Sequence, residues 1–363
     1  MRILIPVLNF GKSGGYRVLS KIADELIHLG HKVDFMSPET SIVPYYPTIA
    51  SIKWIDKNGK IINHPKEKFV LNESGISTLR KLINGLQKLP KNSYDVIIAN
   101  HSVTVIAIKR AGLIHKTLYY VQAYEPELYD LLAGFKNKIL SYLSVYSYKM
   151  KLFTIVNAEV YLNYKKLNAS RVLYPGIDFN NFYPIQKKVK NTNKIIIGTI
   201  GRIEPQKGTR YVLEAFNTLK KKYTNLRLHV AFGNPDDFSE YEDVYCFQPQ
   251  GDRELGDFYR TLDYYICAGY TQFGAFHYPV AEAMSCGISL ITTQYYPVSE
   301  INAWITIPQN AEDIVKRFEL AQNNPTLQEK KINQALNDVK QFSWKKVGEK
   351  FNSYINEFIN SNK

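Results

Sequence analysis

Residues 264–293, YYICAGYTQFGAFHYPVAEAMSCGISLITT, carry the chemistry that the rest of the chain has to position. The apolar run 264–268 predicts a buried strand, and an irregular, glycine-containing loop follows it. Pro279 then opens a short helix, PVAEAMSC, which Gly287 closes before a second strand at 288–292. Proline in the first turn and glycine just past the last are the expected punctuation of such a helix. Its free N–H groups and the positive end of its dipole face the loop, which suits a phosphate or another anion. Glu282 lies one turn inside, near enough to accept hydrogen bonds from a hydroxylated ligand held there.

Other stretches offer weaker chemistry. In the loop NFGKSGG, Gly11-Lys12-Ser13 suggests a nucleotide triphosphatase P-loop, but that motif requires glycine where Pro6 stands. The GxGxxG dinucleotide spacing is also missing. Gly14 and Gly15 remain, and they would let a phosphate approach backbone amides; a plain tight turn is the alternative. Ligands of α/β sheets collect at strand ends, which makes Asn100, His101, Gln122 and Glu125 candidates. His101 reads equally well as a capping or surface histidine. Asp236-Asp237 is the nearest approach to a metal-binding acidic pair, yet without spaced partners it reads as a turn, and no metal is expected. Cys246, Cys267 and Cys286 form no CxxC pair, which argues against a zinc site or disulfide framework and for a reducing cytoplasm.

The elements that would hold these residues alternate strand and helix. Strand 2–8, helix 16–29 ending at Gly30, and strand HKVDFM form a βαβ unit. Residues 37–75 read as Pro-rich loop with a short hairpin around Lys57-Asn58-Gly59. Alternation resumes with helix 76–89, strand 94–100, helix 103–111, strand 117–122, a long helical stretch to about 151, and strand LFTIV. The Pro-Gly turn in ASRVLYPGIDFNNFYP (169–184) and the Lys/Asn-rich 186–194 look like a connection between domains. A second α/β series then runs through strand 194–200, the loop GRIEPQKG, a helix from Thr209, strand 226–232 and helix 254–262. Trp344, Val347, Phe351, Tyr354 and Phe358 recur at helical spacing in the tail, a face that needs something to pack against.

At 363 residues, 45% hydrophobic and 22% charged, the chain has the length for two domains and an ordinary globular composition. No apolar run approaches the ~20 residues of a membrane span, and MRILIPVLNF reads as a first strand rather than a signal peptide. The net charge of +13 is concentrated in residues 1–178, which contribute +11. That asymmetry suggests a polyanionic partner, nucleic acid or an anionic membrane surface, against the plainer reading of a solvated lysine-rich surface. In 136–153, Lys136, Lys138, Lys149 and Lys151 alternate with Leu and Tyr. A core helix with a solvated lysine edge is the commoner source of that pattern, and a basic helix lying on lipid is the alternative.

Taken in order, these pieces resemble glycosyltransferase family 4, the retaining sugar-nucleotide transferases of GT-B fold. LYPGID (173–178) followed by FYP (182–184) looks like the family's domain-linking segment, and Gly201-Arg202…Lys207-Gly208 matches its "GR…KG". The segment 251–259 looks like the "G…eel…lY" helix, and 274–287 falls on the "EGFG.P..EAM..G" signature. Gly14-Gly15 and Gly30-His31-Lys32-Val33 are similar to the glycine loop and "GHeV" of the first half. Two departures stand out. Gly274 replaces the first signature glutamate, with Ala-Phe-His-Tyr-Pro where "GFG.P" is usual, and the sugar-contacting histidine of the first domain has no clear match.

The resemblance implies an α/β GT-B fold of two Rossmann-like domains facing across a cleft. An acceptor-binding domain would comprise 1–180 plus a C-terminal helix, 345–363, crossing back to it; a nucleotide-sugar-binding domain would comprise 181–344. Arg202 and Lys207 would neutralise the departing diphosphate without a metal, and Glu282 would bind the ribose. Gly14, Gly15, Gly274, Phe276, His277, Tyr278 and Pro279 would complete the donor site, with His101, Gln122 and Glu125 on the acceptor or sugar side. The expected activity is a retaining, metal-independent transfer of a sugar from a UDP- or dTDP-sugar to a glycan or lipid-linked acceptor, in cell-surface polysaccharide synthesis of rhamnosyltransferase-like type. No separate cofactor and no nucleic-acid partner are implied, and the location would be cytoplasmic or peripheral at the inner face of the plasma membrane. A catalytically degenerate protein that binds nucleotide and partners an active transferase is the alternative.

Overall fold

The computed structural model of the chain describes residues 1–11, 13–65, 75–130, 132, 134–185, 193–201, 204–270 and 273–361. These fall into two units: Met1–Gly176 with Trp344–Lys363, and Ile177–Ser343.

The first unit runs β1 (Arg2–Pro6), α1 (Gly14–His28), β2 (Lys32–Pro38), β3 (Ser51–Ile55), β4 (Ile61–Ile62), α2 (Gly75–Gln87), β5 (Val96–Ala99) and α3 (Ser102–Arg110). It continues with β6 (Thr117–Val121), α4 (Glu125–Asp130), α5 (Phe135–Tyr148), β7 (Phe153–Val156) and β8 (Arg171–Val172). The strands are ordered β4-β3-β2-β1-β5-β6-β7-β8, all parallel except the β3–β4 hairpin. Ile3, Leu4, Ile5, Val96, Ile98 and Tyr120 are fully enclosed, as strands covered on both faces must be. The hairpin forms around 57–59 as its turn residues suggested, because Asp56 Oδ1 accepts from the N–H groups of Asn58 (2.9 Å) and Lys60 (2.8 Å). β3 is the first arm of that hairpin and starts at Ser51, within the stretch 37–75 that otherwise read as loop.

In the second unit come β9 (Ile195–Ile200), α6 (Thr209–Lys220), β10 (Leu226–Ala231), β11 (Val244–Phe247), α7 (Gly251–Thr261), β12 (Tyr264–Cys267) and α8 (Tyr278–Ser285). β13 (Ser289–Thr292), β14 (Trp304–Ile305), α9 (Ala311–Asn323) and α10 (Pro325–Val339) complete it. Its parallel sheet has the order β11-β10-β9-β12-β13-β14 over a core that includes Ile197, Val212, Phe216, Leu228, Ile266 and Phe318. In both sheets the chain winds outward from the first strand and then returns to its other side. The order therefore reverses between β1 and β5, and between β9 and β12, and the carboxyl ends of strands at such a reversal are where α/β sheets hold ligands.

The last helix, α11 (Trp344–Ser361), belongs to the first unit and packs on α1. Trp344, Val347, Phe351 and Phe358 are buried, which gives the apolar face of the tail its partner. Gly348 permits the close approach: a Cβ there would stand 2.4 Å from Glu25 Cβ. His31 Nε2 meets Asn352 Oδ1 at 2.8 Å, Tyr354 Oη donates to the Val172 carbonyl at 3.1 Å, and Arg171 pairs with Glu357.

Candidate functional site

In the second unit the two strand ends at the reversal are laced together. The turn Pro205–Lys207 leads into Gly208, whose φ of +74° is left-handed. A Cβ at Gly208 would lie 2.0 Å from the Ala268 carbonyl oxygen, so only glycine lets this turn press on the end of β12. Tyr270 N–H donates to the Gln206 carbonyl at 3.0 Å, joining the same two loops. The half-buried Lys207 donates its backbone N–H to the Glu204 carbonyl at 2.9 Å, while its ammonium makes no hydrogen bond or ion pair among the described residues. Its charge reaches the buried Cys267 thiol, which burial nonetheless pushes up to about 11. Cys267 Sγ is in turn 3.9 Å from Nδ1 of His277, the residue that caps α8, so the strand end sits between lysine and helix start. Arg202, the other expected cation, and Gln272 lie outside the described residues.

The start of α8 differs from the sequence expectation in one respect. Pro279 has no N–H, and those of Val280 and Ala281 already donate to the His277 carbonyl, each at 3.1 Å. The helix offers mainly the field of its dipole rather than a row of free amides. The loop before it is tied to the chain beyond β13: Gly274 N–H donates to the Gln294 carbonyl (2.9 Å), and Phe276 pairs with Tyr296 in a parallel bridge, in which Tyr296 N–H donates to Ala275 O (3.0 Å) and His277 N–H to Tyr296 O (3.1 Å). The His277 ring stacks on Tyr295 at 4.2 Å between centroids, and Phe276 meets Tyr278 edge-on at 5.4 Å. Gly274 itself has φ +78°, which a glutamate would occupy only with strain.

Glu282 is 2% exposed and accepts from Tyr259 Oη at 3.2 Å. Burial, and then the Glu282 carboxylate, hold the Tyr259 phenol well above its ordinary value, so it stays a donor. Tyr259 was matched in the sequence only as the end of a helix; its spacing from Glu282 gave no sign of the contact. Sequence reasoning also missed Phe232, a half-exposed residue at φ +64° that joins Gly201, Asn234 and Gln248 around a cavity of about 340 Å³ beyond the ends of β9 and β10. Asp236-Asp237 lies in a short 3₁₀ turn capped by Asn234, whose side chain accepts from Asp236 N–H.

The first unit gathers its candidates at its own strand ends. Gly14 and Gly15 open α1, and a Cβ on Gly15 would touch the Gln122 amide at 3.4 Å. His101 and Glu125 come together at the start of α3. Glu125, buried, accepts from Ser102 N–H (2.9 Å), Ser102 Oγ (2.5 Å), Ser144 Oγ (3.1 Å) and Tyr119 Oη (3.2 Å). His101 Nδ1 accepts from Val103 N–H at 3.1 Å, which assigns the proton of a neutral ring to Nε2. That nitrogen faces Tyr129 Oη at 3.1 Å and Glu125 Oε2 at 3.6 Å. His101 thus caps α3, in a capping box with Thr104, while one edge of its ring stays 26% exposed beside a carboxylate.

Comparison with known proteins then fixes the class. Residues 184–338 match the family model described as glycosyl transferases group 1. An uncharacterized glycosyltransferase of Haemophilus influenzae is 23% identical over 337 residues, 88% of this chain and 90% of that protein. The protein is a glycosyltransferase, its second unit a group 1 domain. Among solved structures, sucrose-phosphate synthase from Thermosynechococcus elongatus superposes with a TM-score of 0.75 at 14% identity, covering 99% of both chains. Anabaena Alr3699/HepE in complex with UDP and glucose gives 0.71 at 13% identity over 98% of this chain and 100% of that one. The catalytic domain of starch synthase IV from Arabidopsis thaliana, bound to ADP and acarbose, gives 0.68 at 12%, covering 99% of each. The fold of this glycosyltransferase is GT-B.

Proposed function

We propose that the protein is a retaining, metal-independent glycosyltransferase that takes its sugar from a UDP- or dTDP-sugar and adds it to a glycan or lipid-linked acceptor of the cell surface. The observation that carries the reading is the lacing of the turn that bears Lys207 to the end of β12, through Gly208 against the Ala268 carbonyl and Tyr270 N–H to Gln206, with Cys267 Sγ 3.9 Å from His277 Nδ1 at the start of α8. An uncommitted lysine and a helix dipole there would stabilise a diphosphate as the bond to the anomeric carbon breaks and the acceptor oxygen takes its place, with Arg202 as second cation. The cavity beside Phe232 would take the base, and Glu282, oriented by Tyr259, the ribose; HepE binds UDP on this fold. The first unit, with His101, Gln122 and Glu125, would serve the acceptor or the sugar.

For the donor we propose a deoxyhexose nucleotide such as dTDP-rhamnose. The left-handed turn at Gly274 leaves no carboxylate at that place, and Phe276 and Tyr278 present apolar edges that suit a methyl at C5. His277 or Gln272 would supply the remaining hydrogen bond. A donor screen on the purified protein, with and without EDTA, tests the whole reading. Rhamnosyl transfer unaffected by EDTA is the expected result. Turnover with UDP-glucose but not dTDP-rhamnose overturns the donor, and tight nucleotide binding without transfer or hydrolysis from any donor overturns the activity.

A further inference from the structure

Helix α5 is turned inside out. Its buried positions are Ser144, Ser147 and Tyr148, while Phe135 is 79% exposed, Ile139 44%, Tyr142 71% and Tyr146 40%. At 3.6 residues per turn those four side chains fall within about 60° of one another, opposite Ser144, in a stripe roughly 16 Å long. The sequence expectation of a core helix with a lysine edge fails for a definable reason. Among the described residues no lysine or arginine pairs with the buried Glu125, and it draws a donor from α5: Ser144 Oγ reaches its carboxylate at 3.1 Å. The hydroxyl face therefore turns inward and the aromatic face outward.

What surrounds the stripe says what it fits. Residues 135–151 contain Lys136, Lys138, Lys149 and Lys151 and no Asp or Glu. All four lysines are exposed. Lys109, from α3, lies 4.9 Å over the Tyr146 ring and donates to its hydroxyl at 2.7 Å. Leu132, before the helix, is 57% exposed as well.

We propose that this face of α5 is a docking surface for an anionic bilayer, the helix lying flat with Phe135, Ile139, Tyr142 and Tyr146 in the headgroup region. Tyrosine suits that place because its ring is apolar and its tip is polar, and lysine because its stem lies along apolar surface while the ammonium meets lipid phosphate. A stripe one helix wide and fringed by long flexible cations lacks the broad charge-depleted centre of a protein interface. No helix among the described residues is long and apolar enough to cross a membrane, so contact through this helix would be from one side. The proposal is independent of the transfer reaction.

The test uses the full chain with vesicles of phosphatidylcholine alone or containing about one third phosphatidylglycerol. Co-sedimentation with the anionic vesicles is expected, weakening as salt rises. Phe135→Glu/Tyr142→Glu should reduce the bound fraction at least tenfold with melting temperature and nucleotide affinity unchanged. Lys136→Glu/Lys138→Glu should reduce it and flatten the salt dependence. Tyr142→Trp should add a blue-shifted emission only when anionic vesicles are present. Equal binding to both vesicles, retention of binding in the double variants, or no blue shift overturns the proposal. So does a dimer in sedimentation velocity that Phe135→Glu/Tyr142→Glu abolishes without any vesicle binding, since the face would then belong to a second copy.

Discussion

Lys207 and Glu282 illustrate two ways a charged side chain can be held. Lys207 is half-buried with no counter-ion among the described residues, a state that favours an arriving anion. Lys207→Ala should therefore lower turnover by about 10²–10³ while leaving the melting temperature unchanged, as for other lost transition-state donors. Arg202→Ala should behave alike, and full activity in either variant would remove the leaving-group role. Glu282 is enclosed and bonded to Tyr259, so Glu282→Gln should raise KM and the Kd of free nucleotide by similar factors, with kcat little changed. Tyr259→Phe removes one donor from a buried carboxylate, an effect of about 1–3 kcal/mol that thermal unfolding should register. An effect of Glu282→Gln on kcat alone would mean that the residue takes part in the chemistry. The position of Glu282 could be read from sequence because proline and glycine bracket its helix. The hydroxyl that orients it could not, since Tyr259 and Glu282 meet only when α7 and α8 pack. Gly274 was legible as a missing carboxylate but not as a left-handed turn, which only the backbone reveals.

At the scale of elements, strands and amphipathic helices were legible wherever burial repeats with a fixed period, as in α1, α6 and α11. Short edge strands such as β11 and β14 escaped because two to four residues carry no period. α5 misled for the opposite reason: its period was clear, but a buried carboxylate decided which side faced in. Helix α11 rests on α1 through Gly348, and Gly348→Leu should lift it and lower the melting temperature of the first unit, because Glu25 Cβ would have to move. An unchanged melting temperature would show that the contact yields at no cost. The link from β14 to α9 depends on Asp313, whose Oδ2 accepts from Ile307 N–H at 2.8 Å and Thr306 Oγ1 at 3.1 Å. Burial raises the Asp313 carboxyl, but these bonds and Arg317 prevail and hold it below its ordinary value. A depressed folded pKa contributes stability that is complete above the unfolded value, ~3.9, and is lost as pH falls through the lower folded one. Between about pH 5 and pH 2 the melting temperature should fall more for the parent than for Asp313→Asn. Parallel curves would assign the acid limb to other groups.

For the whole molecule, the division into units makes unequal demands on the chain. Ile177–Ser343 is continuous, whereas the first unit is assembled from Met1–Gly176 and a distant helix. A protein of residues 177–343 alone should unfold in one cooperative transition and, on the reading proposed above, bind UDP or dTDP in calorimetry. Failure to fold would show that the second unit depends on the first. The first unit, residues 1–176 with 344–363, carries a net charge of +14 and the second, 177–343, carries −1, which gives the two units different salt responses.

The composition of the first unit from two separated segments sets an order of events in time. A ribosome adding about 5–20 residues per second needs roughly nine to thirty-seven seconds to pass from Gly176 to the end of α11. Throughout that interval the surface of α1 that will receive Trp344, Val347 and Phe351 stands open to water, while the second unit emerges and can complete itself. The half made first is thus the half finished last. Released chains ending at residue 343 should show a protease-resistant second unit and a cleavable first one, and a peptide spanning 344–361, added from outside, should restore its resistance.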